Sequence, residues 1–333
     1  MKKISLAIYL ISLLLIIYGC FGKQSAPYIF QGETQGTYYK ITYYADDSIV
    51  NKAKIEERLK DFLQTASLWE ENSIISRINR NESVTLNLDF IEIFNVAKRT
   101  SQATNGAFDI TVGGLVKKWG FGYKANQELP IEVIDSLLQY VGYQNIDIID
   151  RKVVKTNPEI QIDFNAIAKG YSVDIIAHLL ESNNIESFIV DIGGEIYAKG
   201  RKPDGSAWNI GIEKPAVKSN SDRTIQTVIS ISDKAVATSG TYRKYREIDG
   251  VRYSHTIDPK TGYPVSHSLL SATVIADLCV QADALATAFM VMGVEKAIDF
   301  LKKHPYFEAY FIFSDENGNL HTSCTDGFKN LIL

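Results

Sequence analysis

Short strand-like runs alternate with short amphipathic helical patterns along most of the chain, and this mixture constrains the fold more than any other feature. Ser187–Ile192 is typical of a buried strand and Trp208–Glu213 of a further strand, whereas Ile55, Leu59, Phe62 and Leu63 fall on one face of a helix. The two glycines that follow Ile192 lack the spacing of a dinucleotide-binding fingerprint, so a Rossmann fold is not predicted. Because no repeat or linker interrupts the pattern, the sequence predicts one α+β unit over residues 28–333.

The same patterns predict most of the other elements. A helix that begins near Asp89 as its N-cap would bury Ile91, Phe94 and Val96 or nearby residues. The remaining predicted elements are two strand runs around Gln35-Gly36-Thr37 within residues 28–44, a helix over 130–143, a hairpin of Ile146–Ile149 and 153–155, a strand over 160–164 leading into a helix that ends near Asn183, a strand over 224–232, a helix over 294–303, and a terminal hairpin of 306–314 and Leu320–Cys324.

The N-terminus has the layout of an export signal. Two lysines precede an apolar run from Ile4 to Tyr18, and Gly19-Cys20 follows it. The run is shorter than the roughly 20 apolar residues of a spanning helix, and a small residue directly before a cysteine is typical of lipoprotein cleavage. The sequence therefore predicts a signal peptide over residues 1–19, lipidation of Cys20, and a lipidated tether over residues 20–27.

Composition limits the partners of the chain. It carries 35 basic and 39 acidic residues, a formal net charge of −4, and no basic cluster, so nucleic acid is not expected to bind. Beyond Cys20 only Cys279 and Cys324 remain. Their spacing fits either one disulfide or two small buried hydrophobic side chains, and neither fits a paired-cysteine metal motif.

Reactive side chains are concentrated between residues 238 and 287. Asp283 and Thr287 are four residues apart in an alanine-rich run, so they share a helical face with their oxygen atoms side by side. A carboxylate with a hydroxyl suits a hard cation such as Mg²⁺. Equally, Thr287 could bond back to the helix and Asp283 could cap it.

The other candidate residues have two interpretations each. His255, before the Asp258-Pro259 turn, could accept a proton from a hydroxyl or could only cap that turn. Elsewhere, Asp109 with Thr111 could bind a ligand or shape a turn, and Lys169 could meet a phosphate or be a surface residue. Ser239 and Thr241 beside Gly240 could donate to a phosphate or only shape a loop. Gly193-Gly194 at a strand end could lie against a flavin or phosphate or only form a tight turn. Trp69 could stack on a planar ligand or be an ordinary core or surface aromatic.

Eight ordered sequence blocks between Gly36 and Lys302 resemble a known family. These blocks are Gly36-Thr37, Gly106-Ala107-Phe108-Asp109-Ile110-Thr111-Val112-Gly113, Trp119-Gly120-Phe121-Gly122, Ala166-Ile167-Ala168-Lys169-Gly170, Asp191-Ile192-Gly193-Gly194, Thr238-Ser239-Gly240, His255-Thr256-Ile257-Asp258-Pro259 and Ala282-Asp283-Ala284-Leu285-Ala286-Thr287. In number and order they are similar to those of the FAD:protein FMN transferases, the ApbE-type flavin transferases. The chain differs from the usual family pattern at Gln35, Leu68-Trp69 and Gly114, where methionine, threonine-tyrosine and proline are common.

The resemblance implies a fold and a reaction. The expected fold has mixed or antiparallel sheets with flanking helices. The expected reaction is the Mg²⁺-dependent cleavage of FAD, with transfer of the FMN phosphoryl group to a threonine or serine hydroxyl of an acceptor flavoprotein and release of AMP. By the same resemblance Asp283, Thr287 and a main-chain oxygen at Ala166 would hold the metal, and His255 would be the base. The FAD site would be lined by Gln35, Ser67, Leu68, Trp69, Asp109, Lys169, Gly193, Gly194, Ser239 and Thr241.

Two other activities fit the same residues. An FAD pyrophosphatase would produce FMN and AMP with water in place of the hydroxyl, and a flavin-binding lipoprotein would hold FAD without turnover. Together with the predicted lipidation of Cys20, the flavin transferase resemblance implies a bacterial membrane anchor with the enzyme facing the periplasm or the cell exterior.

Overall fold

The computed structural model describes residues 26–120, 129–215, 224–241, 245–248, 251–254 and 256–333. Several predictions concern residues outside these ranges. They are the signal peptide over 1–19, Cys20 with the tether as far as residue 25, Phe121 and Gly122 of the aromatic-glycine block, and the proposed base His255.

Fourteen strands are described, and eight of them form one sheet in which every neighbouring pair is antiparallel. The strands are β1 (Tyr28–Thr34), β2 (Thr37–Tyr44), β3 (Ile146–Ile149), β4 (Lys152–Lys155), β5 (Ser187–Ile192), β6 (Glu195–Lys199), β7 (Trp208–Glu213), β8 (Ile225–Ile231), β9 (Lys234–Gly240), β10 (Tyr245–Ile248), β11 (Val251–Ser254), β12 (Leu269–Ala276), β13 (Glu308–Ser314) and β14 (Leu320–Cys324). The main sheet has the order β1-β2-β5-β6-β9-β12-β13-β14. Three two-stranded ribbons, β3-β4, β7-β8 and β10-β11, lie outside it.

The described α-helices have at most 16 residues, with one exception. They are α1 (Lys52–Ala66), α2 (Ile74–Asn79), α3 (Leu88–Ala103), α4 (Gly113–Trp119), α5 (Ile131–Leu138), α6 (Ala168–Glu181), α7 (Cys279–Lys303) and α8 (Asp326–Lys329). Within α7, Gly293 has φ 75° and ψ 171°, so the helix is kinked there and its second half begins at the predicted Val294. None of the helices in the described ranges is long and apolar enough to cross a membrane.

Both faces of the main sheet are covered. Val274 of β12 belongs to a buried cluster with Phe289 of α7, whereas its neighbour Ile275 belongs to another with Ile210 and Ile229 of the β7-β8 ribbon. Successive side chains of a strand point to opposite faces, so β12 is buried from both sides. The largest cluster joins α1, α3 and α6 to β2 and β5. These layers confirm the α+β prediction.

The first hairpin has the tight turn that its sequence predicts. Thr34 of β1 pairs with Thr37 of β2, and the two residues between them, Gln35 and Gly36, have φ of 51° and 69°. Positive φ at both central residues is the geometry of a type I′ turn, which matches the twist of an antiparallel pair. The turn places Gln35 against α6, where its Nε2 donates to the Ser172 hydroxyl.

The prediction of Asp89 as a helix N-cap is wrong. The cap of α3 is Asn87, whose Oδ1 accepts a hydrogen bond of 3.0 Å from Phe90 N. Asp89 lies in the first turn, where it binds Arg58 of α1 through both carboxylate oxygens, at 2.6 and 2.9 Å. The acid at the start of the helix therefore joins two helices.

The predicted strand over residues 160–164 is also wrong. This segment makes one isolated bridge, between Gln161 and Val112. Its alternating side chains are buried. However, the Asn79 side-chain amide hydrogen-bonds to the backbone of Ile162: it accepts from the Ile162 N–H and donates to the Ile162 carbonyl, both at 2.8 Å. A side chain therefore replaces the neighbouring strand that the pattern implied.

The two cysteines in the described ranges are both free thiols. Cys279 is buried at the start of α7, and Cys324 is partly buried at the end of β14 against a different cluster. Of the two alternatives left open by their spacing, the structure contains the unpaired one.

Candidate active site

A deep cleft of about 1810 Å³ lies beside the ends of β5, β6 and β9. Pockets for one drug-sized ligand are usually about 300–1,000 Å³, so this cleft has room for a dinucleotide or for a ligand together with part of a protein. Its wall comes from segments far apart in sequence. Predicted site residues that line it are Gln35, Ser67, Trp69, Asp109, Ala166, Lys169, Gly193, Gly194, Ser239, Asp283 and Thr287.

Helices α6 and α7 cap each other at the floor of the cleft. Neither helix has a capping side chain at its own N-cap position. Instead, Asp283 of α7 accepts a hydrogen bond of 2.9 Å from Gly170 N in the first turn of α6. Asp174 of α6 in turn accepts from Cys279 N and Val280 N of α7, both at 2.8 Å. A carboxylate at a helix N-terminus satisfies free N–H groups and the helix dipole, and a cap is typically worth about 1 kcal/mol.

Close approach of the two helices depends on Gly170. A Cβ atom on this residue would lie 2.5 Å from the Cys279 carbonyl oxygen and 2.7 Å from Asp283 Cβ. The backbone can therefore reach the Asp283 carboxylate only if the residue lacks a side chain. Asp283 is 4% exposed, and burial raises the pKa of its carboxyl, against the opposing effects of Lys169 and of the Gly170 N–H.

Lys169 forms an ion pair with Glu195, the first residue of β6. The lysine side chain is 29% exposed and the glutamate 4%. Burial by itself would lower the pKa of Lys169, but the Asp283 and Glu195 carboxylates raise it above its ordinary value, so the ammonium stays charged. Burial raises the pKa of Glu195 to about 7, although Lys169 opposes the shift.

Glu195 was not among the site residues inferred from the sequence. It follows the Gly193-Gly194 turn directly, and that adjacency is the only signal that could have singled it out. One carboxylate oxygen binds Lys169, and the other, Oε2, is buried and has no hydrogen-bond partner in the described part of the chain.

The glycine pair forms a tight turn between β5 and β6. Ile192 pairs with Glu195, and Gly193 and Gly194 have φ of 66° and 103°. A Cβ on Gly193 would lie 2.7 Å from Thr37 Cγ2, so this turn packs directly on the first hairpin. The geometry fits the turn interpretation of the pair, and the turn also lines the cleft.

Residues with oxygen atoms suited to a hard cation line the cleft at α7. Thr287 lies one helical turn after Asp283, and its hydroxyl is 3.1 Å from Ser239 Oγ at the end of β9. Ala166 borders the same cleft. The described residues hold no group of three or more His, Cys, Asp or Glu side chains that could bind a metal. A single carboxylate with neutral oxygens fits Mg²⁺, which keeps waters and substrate phosphate oxygens in its other positions.

Asp109 is a cleft residue whose oxygens are already used. Its Oδ1 accepts from the backbone N and the hydroxyl of Thr111, at 2.8 and 2.6 Å, and its Oδ2 accepts from Tyr143 N at 2.7 Å. Burial raises the pKa of the carboxyl, and these bonds oppose the shift. The residue both shapes a turn and lines the cleft, so the two sequence interpretations are not exclusive.

The other predicted residues differ in position. Trp69 is 65% exposed at the edge of the cleft, and its backbone N donates to Ser67 Oγ at 3.2 Å. Leu68 packs instead against the large core cluster. Thr241 follows β9, where its backbone N donates to Leu270 O at 3.0 Å, and it does not border the cleft among the described residues.

The described lining of the cleft is acidic. Seven of its residues are acidic, whereas three, Lys40, Lys169 and Lys202, are basic. Four of the acidic residues, Asp109, Asp163, Glu195 and Asp283, are buried. Buried charge in a large cleft is typical of an enzyme's active site, and an acidic lining favours a cation over a bare anion.

Comparison with known proteins agrees with an enzyme of this kind. The ApbE family model matches residues 35–311. The chain is 36% identical to the FAD:protein FMN transferase of Haemophilus influenzae, over 99% of both chains, and 38% identical to that of Vibrio cholerae, over 86% of this chain and 87% of the relative.

Solved structures give the same result. The flavin transferase ApbE from Vibrio cholerae has a TM-score of 0.82 at 34% identity and covers 92% of this chain and 99% of its own. The apo flavinyl transferase ApbE of Pseudomonas stutzeri has a TM-score of 0.83 at 32% identity, with 93% and 98% covered.

The fold and the cleft are therefore those of a transferase. The chain belongs to the ApbE family.

Proposed function

We propose that the chain is a Mg²⁺-dependent FAD:protein FMN transferase that attaches FMN through a phosphoester to a threonine or serine hydroxyl of an acceptor flavoprotein. The observation that carries the proposal is a buried carboxylate, Asp283, one helical turn before Thr287, whose hydroxyl contacts that of Ser239, in an acidic cleft large enough for FAD. The names of the similar proteins support the flavin substrate and the protein acceptor.

Asp283, Thr287 and the main-chain oxygen of Ala166 would hold the cation. When bound, Mg²⁺ would neutralise charge on the pyrophosphate of FAD. An acidic cleft that must accept a negatively charged pyrophosphate needs the positive charge of the cation, because phosphoryl transfer depends mainly on positioning and on electrostatic stabilisation. Lys169, which stays protonated beside Asp283, is itself ion-paired with Glu195, so the cation is the uncompensated positive charge in this part of the cleft.

The phosphoryl transfer itself involves the acceptor hydroxyl and residues of the chain. The acceptor hydroxyl attacks the phosphorus of the FMN half, the bond from that phosphorus to the bridging oxygen breaks, and AMP leaves with that oxygen. The proton of the hydroxyl goes to a base, for which we propose His255. Trp69, exposed at the cleft edge, offers an aromatic face on which a flavin or adenine ring can stack.

One assay tests the proposed reaction. The chain without its first 20 residues is incubated with FAD, Mg²⁺ and a candidate acceptor domain, and AMP release and acceptor mass are measured together. AMP with a mass gain equal to FMN phosphoester supports transfer. AMP without a mass gain across a panel of acceptors indicates a pyrophosphatase, and intact FAD that stays bound indicates a flavin-binding protein.

Replacement of the proposed base should affect transfer more than binding. In His255→Ala we expect the rate of FMN transfer to fall about 100-fold, because general-base catalysis typically contributes about 10²–10⁴-fold. The affinity for FAD, followed by flavin fluorescence, should change less than threefold, roughly. Transfer at the parental rate would exclude His255 as the base.

The cell location is a separate proposal that rests on the N-terminal sequence. We propose that Cys20 is lipidated and anchors the enzyme to a bacterial cell membrane, facing the periplasm or the exterior. Cells fed a radiolabelled fatty acid should label the parental protein, and Cys20→Ser should lose both the label and sedimentation with membranes. Label retained by Cys20→Ser would place the modification elsewhere, and Cys324→Ser, a change outside the N-terminus, is the matched control.

A further inference from the structure

Glu195 is the most buried partner in the charged group at the floor of the cleft, and the reaction proposed above gives it no role. It binds the Lys169 ammonium directly, and Asp283 lies close enough to Lys169 to raise the pKa of that lysine. With Glu195 and Asp283 ionised, these three side chains carry one net negative charge. If the only role of Lys169 were to attract phosphate, a buried carboxylate bound to it would weaken that attraction.

We infer that Glu195 is a positioning residue that holds Lys169 in place and cancels its charge, so that the cleft binds the pyrophosphate of FAD well only together with a divalent cation. Binding of one divalent cation changes the net charge of the three side chains from one negative to one positive. This inference rests on the proposed function, because it takes FAD and Mg²⁺ as the ligands.

The burial of Glu195 explains why its charge matters at this point. Glu195 is buried, and its Oε2 has no hydrogen-bond partner in the described part of the chain, so little screens its charge. Charges in a buried site interact more strongly than charges in water. The other acidic residues of the described lining also outnumber its lysines, so the lining as a whole favours a cation over a bare pyrophosphate.

Glu195→Gln tests the inference, because the amide keeps an oxygen that can accept from Lys169 but removes the charge. We expect FAD to bind this variant about tenfold more tightly than the parent in EDTA, as one buried charge near a pyrophosphate predicts. With the divalent cation bound the net charge is already positive, so we expect FAD to bind the variant in Mg²⁺ about as tightly as it binds the parent. The ratio of the FAD dissociation constants in EDTA and in Mg²⁺ should therefore fall about tenfold. Because coupling between two ligands is reciprocal, FAD should also increase the Mg²⁺ affinity of the variant by a correspondingly smaller factor.

Two variants separate this role from simple structural support. Glu195→Asp keeps the charge and should keep the parental ratio, even if catalysis slows. Glu186→Gln removes a charge from an exposed residue before β5 and should also leave the ratio unchanged. Binding is measured at about pH 8, because burial raises the pKa of Glu195, and without acceptor protein. Chromatography confirms that FAD stays intact.

The outcomes are distinct. An unchanged ratio in Glu195→Gln, equal weakening with and without Mg²⁺, or the same change in Glu186→Gln would each overturn the inference. FAD binding by the parent that does not depend on Mg²⁺ would overturn it as well. Metal-dependent FAD binding without FMN transfer to any acceptor would overturn the proposed function and leave the inference standing.

Discussion

Asp283→Ala should reduce Mg²⁺-dependent cleavage of FAD by at least about 100-fold, the largest loss of activity expected from a single side chain in the cleft. Asp283 is the only carboxylate in the proposed metal site, so its removal leaves a hydroxyl and a carbonyl oxygen, which bind Mg²⁺ weakly. The measurement is AMP release over a range of Mg²⁺ concentrations. An activity that is restored only at high Mg²⁺ would fit weakened metal binding.

The same substitution also removes the cap of α6. Gly170 N would lose its acceptor, and the free energy of unfolding should fall by about 1–3 kcal/mol. Asp283→Asn provides the matched control, because its amide oxygen can still accept from Gly170 N but carries no charge. We expect the asparagine variant to unfold at denaturant concentrations nearer to the parent and to be as inactive as the alanine variant. Parental activity in either variant would exclude Asp283 as a metal ligand.

The second large effect is expected at the contact between α6 and α7. Gly170→Ala places a methyl group 2.5 Å from the Cys279 carbonyl oxygen, which belongs to the backbone and cannot rotate away. The helices must separate, so we expect a loss of about 1–3 kcal/mol in the free energy of unfolding, with a larger loss in Gly170→Val. The separation also displaces the Asp283 carboxylate, and FAD cleavage should fall with it. Chemical denaturation and AMP release measure the two effects.

Gly114→Ala is the control for this prediction. Gly114 lies in α4, and its added methyl group would meet Leu137 Cδ2 at 3.7 Å, an ordinary contact. Because alanine favours a helix over glycine by about 1 kcal/mol, this variant should be as stable as the parent or more so. A Gly170→Ala variant that is as stable as Gly114→Ala would contradict the close packing of α6 on α7.

Local periodicity was sufficient to predict many of the elements. The amphipathic patterns of α1 and α5 and the alternating residues of the first and last hairpins depend on neighbours within a few positions, and the structure confirms them. Strands β6, β9 and β12 were not predicted. β9, for example, has the sequence Lys-Ala-Val-Ala-Thr-Ser-Gly, whose small side chains give little strand signal. Its conformation depends on pairing with β6 and β12.

The prediction of the site was limited in the same way, because local sequence patterns do not show which distant segments are in contact. Asp283 and Thr287 could be paired from their spacing alone, and the family resemblance predicted most of the other site residues that line the cleft. The function of Glu195 depends on Lys169, which is 26 positions away, and no periodicity connects them. The same limit led to the wrong strand over residues 160–164, because the alternation is real but an asparagine side chain takes the place of a second strand.

The reciprocal caps of α6 and α7 also have a consequence for the folding pathway. The capping bonds join residues 105, 106 and 113 positions apart, so neither helix carries a local start signal of its own. The first turn of a helix is its costly nucleus, and closing a long loop before that turn is stabilised adds an entropic barrier. The catalytic floor should therefore assemble late and all at once, after synthesis has passed α7, and a nascent chain that lacks α7 would have no competent site for its substrate.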